Sequence, residues 1–366
     1  MTTRTRTFPL HCIVPPHMLR AIAQRGDAGQ REAALRTLAV SERLRGRRET
    51  LGAWEVAAPP GEKRRTVFDA RGGFELPGRT VRREGGPAAR DHAVNEAYDG
   101  AGATYDLYQE TYDRSSIDDR GMRLDATVHF GVDYNNAFWN GSQMVYGDGD
   151  GRLFGRFTAA VEVIGHELTH GVIQHEAAFE YRDQPGALNE SFADVFGSLV
   201  KQRSLGQTVK EADWLIGKGL FTKAVRGKAI RSLAAPGTAY DDDVLGRDPQ
   251  PSHMRGYLEG DDDNGNVHVN SGIPNHAFYL AAMVIGGRAW ERAGRIWYFA
   301  LRDRLRRTSG FARAAAATIE VAARLHGPGS PEHRAVQDAW SQVGVESAVP
   351  SHHPLAEIRS EPIPAP

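Results

Sequence analysis

Two histidines and two carboxylates at helical spacing are the side chains of this sequence best suited to metal chemistry. The segment HELTH places His166 and His170 four residues apart, so that on a helix both imidazoles point from one face toward a single ion. In the later segment NESFAD, Glu190 and Asp194 are again one helical turn apart. Two histidines and Glu190 as ligands leave a fourth position open, which is typical of a catalytic rather than a structural zinc ion.

Asp194 and His175 are the neighbouring residues whose part in such a site has to be decided. A ligand histidine usually donates its second ring N–H to a carboxylate, and Asp194 suits that role, with His166 as the expected partner. His175 is an alternative ligand, but the longer three-histidine zinc motif would require Gly at Ile173 and His at Glu176. We therefore assign His175 to the helix surface.

A second polar cluster lies far downstream. The three acids at 261–263 precede an Asn-Gly turn, and His268 follows them. Three acids before a glycine turn are compatible with a calcium loop or with a solvated turn, and from spacing alone we favour the turn. A single histidine such as His268 is more often structural than functional, so by itself it carries no functional signal.

The periodicity of apolar residues predicts which elements position these side chains. Val161, Ile164, Leu168 and Val172 recur at intervals of three and four, so HELTH lies on a long helix with one apolar face. From residue 66 onward the sequence is strand-like with many turns, and residues 124–132 alternate between apolar and polar, which predicts a half-buried strand. Most of the remainder is helical, and the predicted helices cover residues 187–202, 274–285, 290–305, 311–325 and 331–343.

Composition narrows the class of protein. The 366 residues are 40% hydrophobic and 25% charged with a mean hydropathy of -0.47, as in ordinary soluble globular proteins. Lys and Arg number 45 against 46 Asp and Glu, and no basic stripe is interleaved with aromatic residues, so we expect no nucleic-acid partner. We expect no membrane partner either, because no apolar run approaches the roughly 20 residues of a spanning helix. The single cysteine, Cys12, excludes an intramolecular disulfide and a cysteine-based zinc ribbon.

The first 50 residues, here called the N-terminal module, differ from the rest in charge. They contain ten Arg and four acidic residues, a net charge of +6, which leaves -7 for the remainder of a chain whose total is -1. Helical spacing is present at 16–24 and 30–44, and the Pro- and Gly-rich segment that follows indicates a linker. No apolar core of about 7 to 15 residues marks a signal peptide, so we expect secretion by a non-Sec route or, alternatively, a cytoplasmic protein.

Four segments resemble, in order and spacing, the motifs of the thermolysin family of neutral zinc metallopeptidases: NAFWNGSQMVYGDGDG, HELTH, GALNESFADVFG and NVHVNSGIPNHAFYL. The N-terminal module, with its segment CIVPPHML, is similar to the short propeptide of the protealysin-like branch. The resemblance implies an α+β fold of two lobes with the active-site helix between them. It divides the chain into a propeptide at 1–50, a linker at 51–65, a β-rich lobe with the HExxH helix at 66–180, an α-helical lobe at 181–349 and a flexible tail at 350–366.

The resemblance also implies a metalloendopeptidase that hydrolyses peptide bonds in proteins or peptides. Zinc would be held by His166, His170 and Glu190, while Glu167 acts as general base and passes the proton of water to the leaving amine. The resemblance assigns the hydrogen bonds that stabilise the oxyanion to Tyr181 and His268, with Asp263 orienting His268. It assigns the contacts to substrate backbone to Asn136, Ala137 and Arg231.

The specificity pocket implied by the resemblance falls on four apolar positions: Phe157, Val163, Leu220 and Ile230. Each of these residues is equally compatible with an ordinary place in the core. Burial of one large aliphatic or aromatic side chain contributes about 1.5 to 3 kcal/mol. We therefore expect cleavage before a bulky hydrophobic residue.

The similarity of the N-terminal module to a propeptide implies a zymogen that processes itself. The opposite net charges of module and body favour their association, so we expect the propeptide to inhibit the enzyme. Cys12 could strengthen latency by donating a thiolate to the open zinc position. The alternative is that Cys12 is a small buried apolar residue beside the Pro-Pro turn.

The double calcium site of the family lacks most of its ligands in this chain. The matching positions are Glu162, Lys201, Asp213, Leu215 and Lys218, so that three of five carboxylates are absent. Calcium requires about six to eight oxygen ligands, and two lysines cannot share that space with it. We expect Lys201 or Lys218 to pair with Glu162 and Asp213 and no double calcium site, with calcium binding at 261–263 left open.

Two other functions compete with this interpretation. A metallo-aminopeptidase shares the HExxH motif and a distant Glu, but it uses a spacer one residue shorter and needs an acidic anchor for a free amine. A non-catalytic binding protein with the same fold would be expected to have lost the base or a ligand, and all of them are present here.

Overall fold

A six-stranded mixed sheet forms the first half of the structure, a computed structural model that describes residues 11–47 and 61–347. Its strands lie in the order β1-β5-β6-β4-β2-β3, in which β2, β4 and β6 are parallel and the others antiparallel to their neighbours. The strands are β1 (His11–Cys12), β2 (Arg65–Asp69), β3 (Arg79–Arg83), β4 (Leu124–Val128), β5 (Ala137–Trp139) and β6 (Met144–Tyr146).

The N-terminal module supplies the outer strand of this sheet. In β1, His11 lies opposite Trp139 and Cys12 opposite Phe138, antiparallel to β5. Two helices, α1 (Pro16–Arg25) and α2 (Ala28–Arg47), follow β1 and pack against each other. The module is therefore continuous with the sheet of the main body through backbone hydrogen bonds.

Eight further α-helices lie in the part of the chain that the structure describes. They are α3 (His92–Tyr112), α4 (Val161–His175), α5 (Asp183–Ser204), α6 (Asp263–Asn270), α7 (Gly272–Ile285), α8 (Ala293–Asp303), α9 (Phe311–His326) and α10 (Pro331–Gln342). Two short hairpins lie between α5 and α6: β7 (Leu215–Ile216) with β8 (Arg231–Ser232), and β9 (Asp241–Asp242) with β10 (Gly246–Arg247). The α+β architecture expected from the sequence is confirmed, with the sheet in the first half and the helices α5 to α10 in the second.

Helix α4, which contains HELTH, runs closely along α5 because two glycines face each other where the helices cross. A Cβ on Gly197 would lie 2.4 Å from the carbonyl oxygen of Glu162, and a Cβ on Gly165 would lie 3.1 Å from the Cα of Gly197. Any side chain at either position would force the helices apart. The crossing thus brings HELTH on α4 next to NESFAD on α5.

Helix α3 is absent from the sequence-based expectation, which placed only strands and turns in this region. The helix is 21 residues long, and the side chain of Asp91 caps it by accepting a hydrogen bond from the backbone N–H of Ala93 at 2.8 Å. Its buried face carries Ala97, Ala101 and Tyr108 at helical spacing, packed against β2, β4 and α4. The sequence-based expectation of strands and turns from residue 66 onward thus omitted one long helix of the β-rich lobe, although the helical period was present in the sequence.

The predicted half-buried strand at 124–132 is shorter and more buried than expected. Strand β4 ends at Val128, and the next residue, His129, has a positive φ of 55°. Thr127 is buried because its hydroxyl donates to the carbonyl of Pro77 at 2.8 Å, whereas Val132 is 57% exposed. The alternation of apolar and polar residues did not predict which side chains are buried, because neighbouring strands and α3 cover this strand.

Two lysines pair with two carboxylates in the cluster between α4 and α5. Lys201 Nζ lies 3.1 Å from Glu162 Oε1 and 3.0 Å from Asp213 Oδ1, and Lys218 Nζ lies 3.1 Å from Asp213 Oδ2. The backbone N–H of Lys218 also donates to Glu162 Oε1 at 3.1 Å. The ion pairs expected from the sequence are present, while the absence of a double calcium site stays a prediction.

Parts of the expected organisation fall outside the described residues. These are residues 1–10 and 48–50 of the N-terminal module, the linker up to residue 60, and the expected tail at 350–366. Among the helices in the described part of the chain, none is long and apolar enough to cross a membrane.

We expect the variant Lys201→Met to lower the free energy of unfolding by about 3 to 5 kcal/mol, because it leaves the buried Glu162 carboxylate without its ammonium partner. The matched variant Lys218→Met should cost about 1 kcal/mol or less, since its side chain is exposed. Urea unfolding in the Glu167→Ala background measures both.

With zinc kept saturating, removal of calcium by EGTA should leave the melting temperature of the unmodified chain unchanged. Equal losses in both variants, or a large loss that calcium alone restores, would contradict the ion-pair account.

Candidate active site

Three buried ligand atoms from α4 and α5 converge on one point. The Nε2 atoms of His166 and His170 are 3.0 Å apart, and each lies 3.6 Å from an oxygen of Glu190. All three side chains are at most 1% exposed. Ligands about 2.0 to 2.2 Å from a tetrahedral zinc ion would be separated from one another by about 3.3 to 3.6 Å. The two His–Glu separations match this range, and the Nε2–Nε2 distance is slightly shorter than it, so one zinc ion fits at this point once the two imidazoles move slightly apart.

The second ring nitrogen of each histidine faces its own acceptor. His166 Nδ1 lies 2.8 Å from Asp194 Oδ1, and His170 Nδ1 lies 2.8 Å from Asn189 Oδ1. These contacts fix the tautomer in which both Nε2 lone pairs point to the common centre. The Asp194 contact is the one expected from the sequence. Asn189 was not among the residues predicted for the site, although it directly precedes Glu190 in NESFAD.

Asp194 is fixed in turn by a cation and an amide. Arg231 donates to it through Nε at 2.7 Å and Nη2 at 2.8 Å, and Asn275 Nδ2 donates at 2.9 Å. Burial alone would raise the pKa of Asp194, but Arg231 and His166 hold the pKa well below its usual range. The carboxylate therefore stays ionised. Asn275, which lies in the segment NVHVNSGIPNHAFYL, was not among the predicted site residues either.

Two carboxylate oxygens at the centre support the fit to a cation. Glu167 Oε2 accepts a hydrogen bond from the backbone N–H of Trp139 at 3.0 Å. Glu167 Oε1 and Glu190 Oε2 are buried without a hydrogen-bond partner among the described residues. Burial and the neighbouring Glu190 carboxylate raise the pKa of Glu167 well above its usual range. A bound cation would satisfy Glu190 Oε2 and offset this repulsion.

His268 and Tyr181 lie beside Glu190, the ligand from α5. His268 Nδ1 lies 2.7 Å from Asp263 Oδ2, and the Tyr181 hydroxyl donates to Glu190 Oε1 and lies 3.4 Å from His268 Nε2. Burial lowers the pKa of His268, but Asp263 and Glu190 outweigh it and raise the pKa to about 9. The turn at the start of α6 needs glycine, since a Cβ on Gly265 would lie 2.2 Å from a carboxylate oxygen of Asp183.

The backbone of residues 12–14 lies along the cleft. The Cys12 carbonyl is 3.0 Å from His268 Nε2, and the Ile13 N–H donates to the Ala137 carbonyl at 3.2 Å. Arg231 Nη1 donates to the Ile13 carbonyl at 3.0 Å. The side chain of Asn136 accepts from the Val14 N–H at 2.9 Å and donates to the Val14 carbonyl at 3.3 Å. Every residue expected to contact substrate backbone is thus paired with this segment.

The thiol of Cys12 does not join the metal ligands. Among the described His, Cys, Asp and Glu residues, the ligand group consists of His166, His170 and Glu190 alone. Cys12 is buried in an apolar cluster with Phe138 and with Phe130, Tyr134 and Val145. Its carbonyl oxygen lies 3.0 Å from His268 Nε2. This location corresponds to the alternative of a small buried apolar residue.

The remaining candidates occupy distinct places. Those expected to line a specificity pocket are at most 1% exposed and belong to the main hydrophobic core, together with Ile13: Phe157, Val163, Leu220 and Ile230. His175 is exposed at the C-terminal end of α4. In the acidic turn, Asp261 pairs with Arg182, and Asp262 with Arg20 of the N-terminal module at 3.2 Å.

A histidine pair and a carboxylate on crossing helices, with an acid beside them in a cleft between a sheet and a helical half, define a metallopeptidase of the HExxH class with a distant Glu ligand. Comparison with known proteins gives the family. The model described as "Thermolysin metallopeptidase, catalytic domain" matches residues 66–174, and the one described as "Thermolysin metallopeptidase, alpha-helical domain" matches residues 177–345. The chain belongs to the thermolysin family of metallopeptidases.

Two of the relatives match this chain over nearly their whole length, and a third is matched over less than half of its length. It is 48% identical over 342 residues to an "Extracellular metalloprotease" of Pectobacterium carotovorum subsp. carotovorum, covering 93% of this chain and 98% of that protein. It is 40% identical over 265 residues to a "Thermolysin" of Alicyclobacillus acidocaldarius subsp. acidocaldarius, covering 70% and 46%. The solved "Precursor of Protealysin, Metalloproteinase from Serratia proteamaculans" matches with a TM-score of 0.85 and 49% identity, over 92% of this chain and 99% of that one.

We expect Asn189→Ala to weaken zinc binding by about 10- to 100-fold, because His170 then loses the acceptor that orients its ring. Zinc affinity is measured by competition with a chromophoric chelator. The control is Asp263→Asn, which contacts His268 and none of the three ligands, and should leave zinc affinity unchanged. Equal affinity of the Asn189→Ala variant and the unmodified chain would show that Asn189 has no part in holding the ligand.

Proposed function

We propose that this chain is a zinc-dependent endopeptidase that is made as a latent precursor, cuts before bulky hydrophobic residues and matures by its own activity. The observation that carries the proposal is the pairing of His268, Ala137, Arg231 and Asn136 with one stretch of extended backbone beside the three ligands. The same groups would bind any extended peptide, because they recognise only backbone N–H and C=O.

The catalytic roles follow from the positions of the side chains. Zinc bound by His166, His170 and Glu190 would supply Lewis-acid polarisation of water and of the substrate carbonyl. Glu167, held through Oε2 by the Trp139 N–H, accepts a proton from the attacking water at its other oxygen and delivers it to the leaving amine.

The oxyanion is stabilised from the side opposite the base. His268 donates from Nε2, because Asp263 holds the proton at Nδ1 and favours the charged imidazole. Tyr181 donates from its hydroxyl at the same end of the cleft. Asp263 is thus a positioning residue, since it acts on the reaction through His268.

Preference for a bulky residue after the scissile bond rests on the apolar surroundings of Ile13. This side chain is fully buried in the same core as Phe157, Val163, Leu220 and Ile230. Transfer of such a side chain from water contributes about 1.5 to 3 kcal/mol. A substrate that places Leu, Ile, Val or Phe at this position is therefore favoured.

Latency follows from occupation of the cleft by the N-terminal module. The module is held by buried apolar residues, Met18, Leu19 and Ile22, and by the ion pairs Arg20 with Asp262 and Asp27 with Arg152. The backbone of residues 12–14 excludes substrate without help from a thiolate. We expect Cys12→Ser to keep the precursor latent.

Because the Pectobacterium relative carries the name "Extracellular metalloprotease", we place the mature enzyme outside the cell.

We expect Glu167→Ala to lower hydrolysis of a peptide blocked at both ends by more than about 100-fold, because the proton acceptor is lost. The unmodified chain should shorten itself by about 50 residues, and the variant should not, as judged by intact mass and N-terminal sequencing. The exposed Glu180→Ala variant is the matched control and should behave like the unmodified chain.

Activity should vanish with 1,10-phenanthroline and return with zinc. Cleavage restricted to peptides with a free amino terminus would instead indicate an aminopeptidase.

Docking of the N-terminal module should weaken in mild acid because of His17. Its Nε2 lies 3.2 Å from the Tyr240 hydroxyl, and its Nδ1 is buried without a partner among the described residues. Burial lowers the pKa of His17 to about 4; Asp263 opposes the shift, whereas His268, Arg231 and Arg20 add to it. The undocked imidazole binds a proton near pH 6.5, so docking is unaffected above that pH and weakens about tenfold per unit as the pH falls from 6.5 toward 4.

The measurement uses the Glu167→Ala precursor cut in its linker by a trace of mature enzyme. Size-exclusion chromatography then gives the fraction of the N-terminal module that stays with the body at about pH 7.5 and at about pH 5. We expect loss of the module at the lower pH, and retention at both in the His17→Gln variant. Equal retention of the unmodified module at both values would remove His17 as the cause.

A further inference from the structure

One peptide bond of the N-terminal module, between Cys12 and Ile13, has both of its polar groups on catalytic or substrate-binding residues. Its carbonyl oxygen lies 3.0 Å from His268 Nε2, the donor assigned to the oxyanion. Its N–H donates to the Ala137 carbonyl at 3.2 Å. The bond lies along the same cleft as the three metal ligands, since His268 Nε2 is itself 3.5 Å from Glu190 Oε2. A scissile bond requires this combination of contacts.

The register of the segment is fixed on both sides of this bond. Upstream, β1 pairs with β5; downstream, Arg231 binds the Ile13 carbonyl and Asn136 binds both polar groups of Val14. A shift by one residue in one direction would bring Pro15, which has no N–H, opposite the Asn136 acceptor. A shift in the other direction would exchange the faces of Cys12 and Ile13.

The side chains on the two sides of the bond match the expected specificity. Ile13, on the C-terminal side, is fully buried in the main core that includes Phe157, Val163 and Leu220. Cys12, on the N-terminal side, lies in the separate cluster that contains Phe138. A bulky aliphatic residue therefore follows the bond, as in the preferred substrates.

We propose that the Cys12–Ile13 bond is the first substrate of this enzyme and that the zinc-loaded precursor hydrolyses it within its own chain. The inference rests on the function proposed above. One water molecule is consumed: its oxygen forms a bond to the Cys12 carbonyl carbon, the C–N bond to Ile13 breaks, and Glu167 transfers one proton of the water to the Ile13 nitrogen. The second proton of the water also ends on this nitrogen, so the products are a carboxylate at Cys12 and a new ammonium terminus at Ile13.

Cleavage at this bond differs in its consequences from cleavage in the linker. Residues 13–47 remain docked through the buried side chains of Met18, Leu19 and Ile22 and the ion pair of Asp27 with Arg152. The cut chain therefore stays latent, with its ends in the cleft, until the linker is cut and the module leaves. Self-cleavage at Cys12–Ile13 is expected to precede activation.

The test begins with full-length, zinc-free precursor, to which zinc is added while intact mass and N-terminal sequence are followed over time. A species that begins at Ile13 should form at a rate independent of protein concentration, before activity on a blocked peptide develops. It should be absent in Glu167→Ala. A rate proportional to protein concentration, or no such species while the linker is cut, would overturn the proposal.

Substitutions on the two sides of the bond separate specificity from folding. Ile13→Asp should slow formation of the new terminus at least about tenfold, because a charge enters an apolar pocket, whereas Ile13→Leu and Cys12→Ala should leave it close to the unmodified rate. Zinc content and circular dichroism establish that each variant is folded. If matured enzyme cleaves the blocked peptide but no chain begins at Ile13, this inference fails and the proposed function stands. If the peptide is not cleaved either, the proposed function fails.

Discussion

The close crossing of α4 and α5 is the constraint on which the rest of the structure depends. Gly165 and Gly197 allow the backbones to approach until two imidazoles and the Glu190 carboxylate surround one point in a fully buried setting. Burial and, after it, the neighbouring Glu190 carboxylate raise the pKa of Glu167. Such an arrangement is stable only around a cation or a dense set of hydrogen bonds, and its ligand spacing selects a metal of tetrahedral preference.

A second consequence is that metal binding and peptide binding share one support. Arg231 uses one edge of its guanidinium to hold Asp194, which faces His166, and its remaining nitrogen to hold the Ile13 carbonyl. The planar fork of arginine permits both sets of contacts at once, which lysine could not do. Displacement of the peptide would therefore remove one acceptor from Arg231, which is linked through Asp194 to His166.

Local periodicity explains what could be predicted from the sequence. The ligands follow from helical spacing within HELTH and NESFAD, and the Lys201 pairs follow from the replacement of acids by cations at known positions. Three features could not be obtained in this way. Asn189 and Asn275 act through contacts between helices that are distant in sequence. Strand β1 is too short to show a periodic pattern. The direction of the Cys12 side chain and carbonyl depends on the register of β1 with β5. Helix α3 was missed although its spacing was visible, because turn residues before it dominated the interpretation.

The central claim is that a preformed zinc centre faces the backbone of the enzyme's own N-terminal segment. Its most direct test is a crystal structure of the zinc-loaded Glu167→Ala precursor with an anomalous difference map at the zinc edge. The account predicts one zinc peak within about 2.0 to 2.2 Å of His166 Nε2, His170 Nε2 and a Glu190 oxygen, with residues 12–14 along β5 and the Cys12 carbonyl toward the metal. A peak elsewhere, a sulfur ligand at about 2.3 Å, or an N-terminal segment outside the cleft would contradict it.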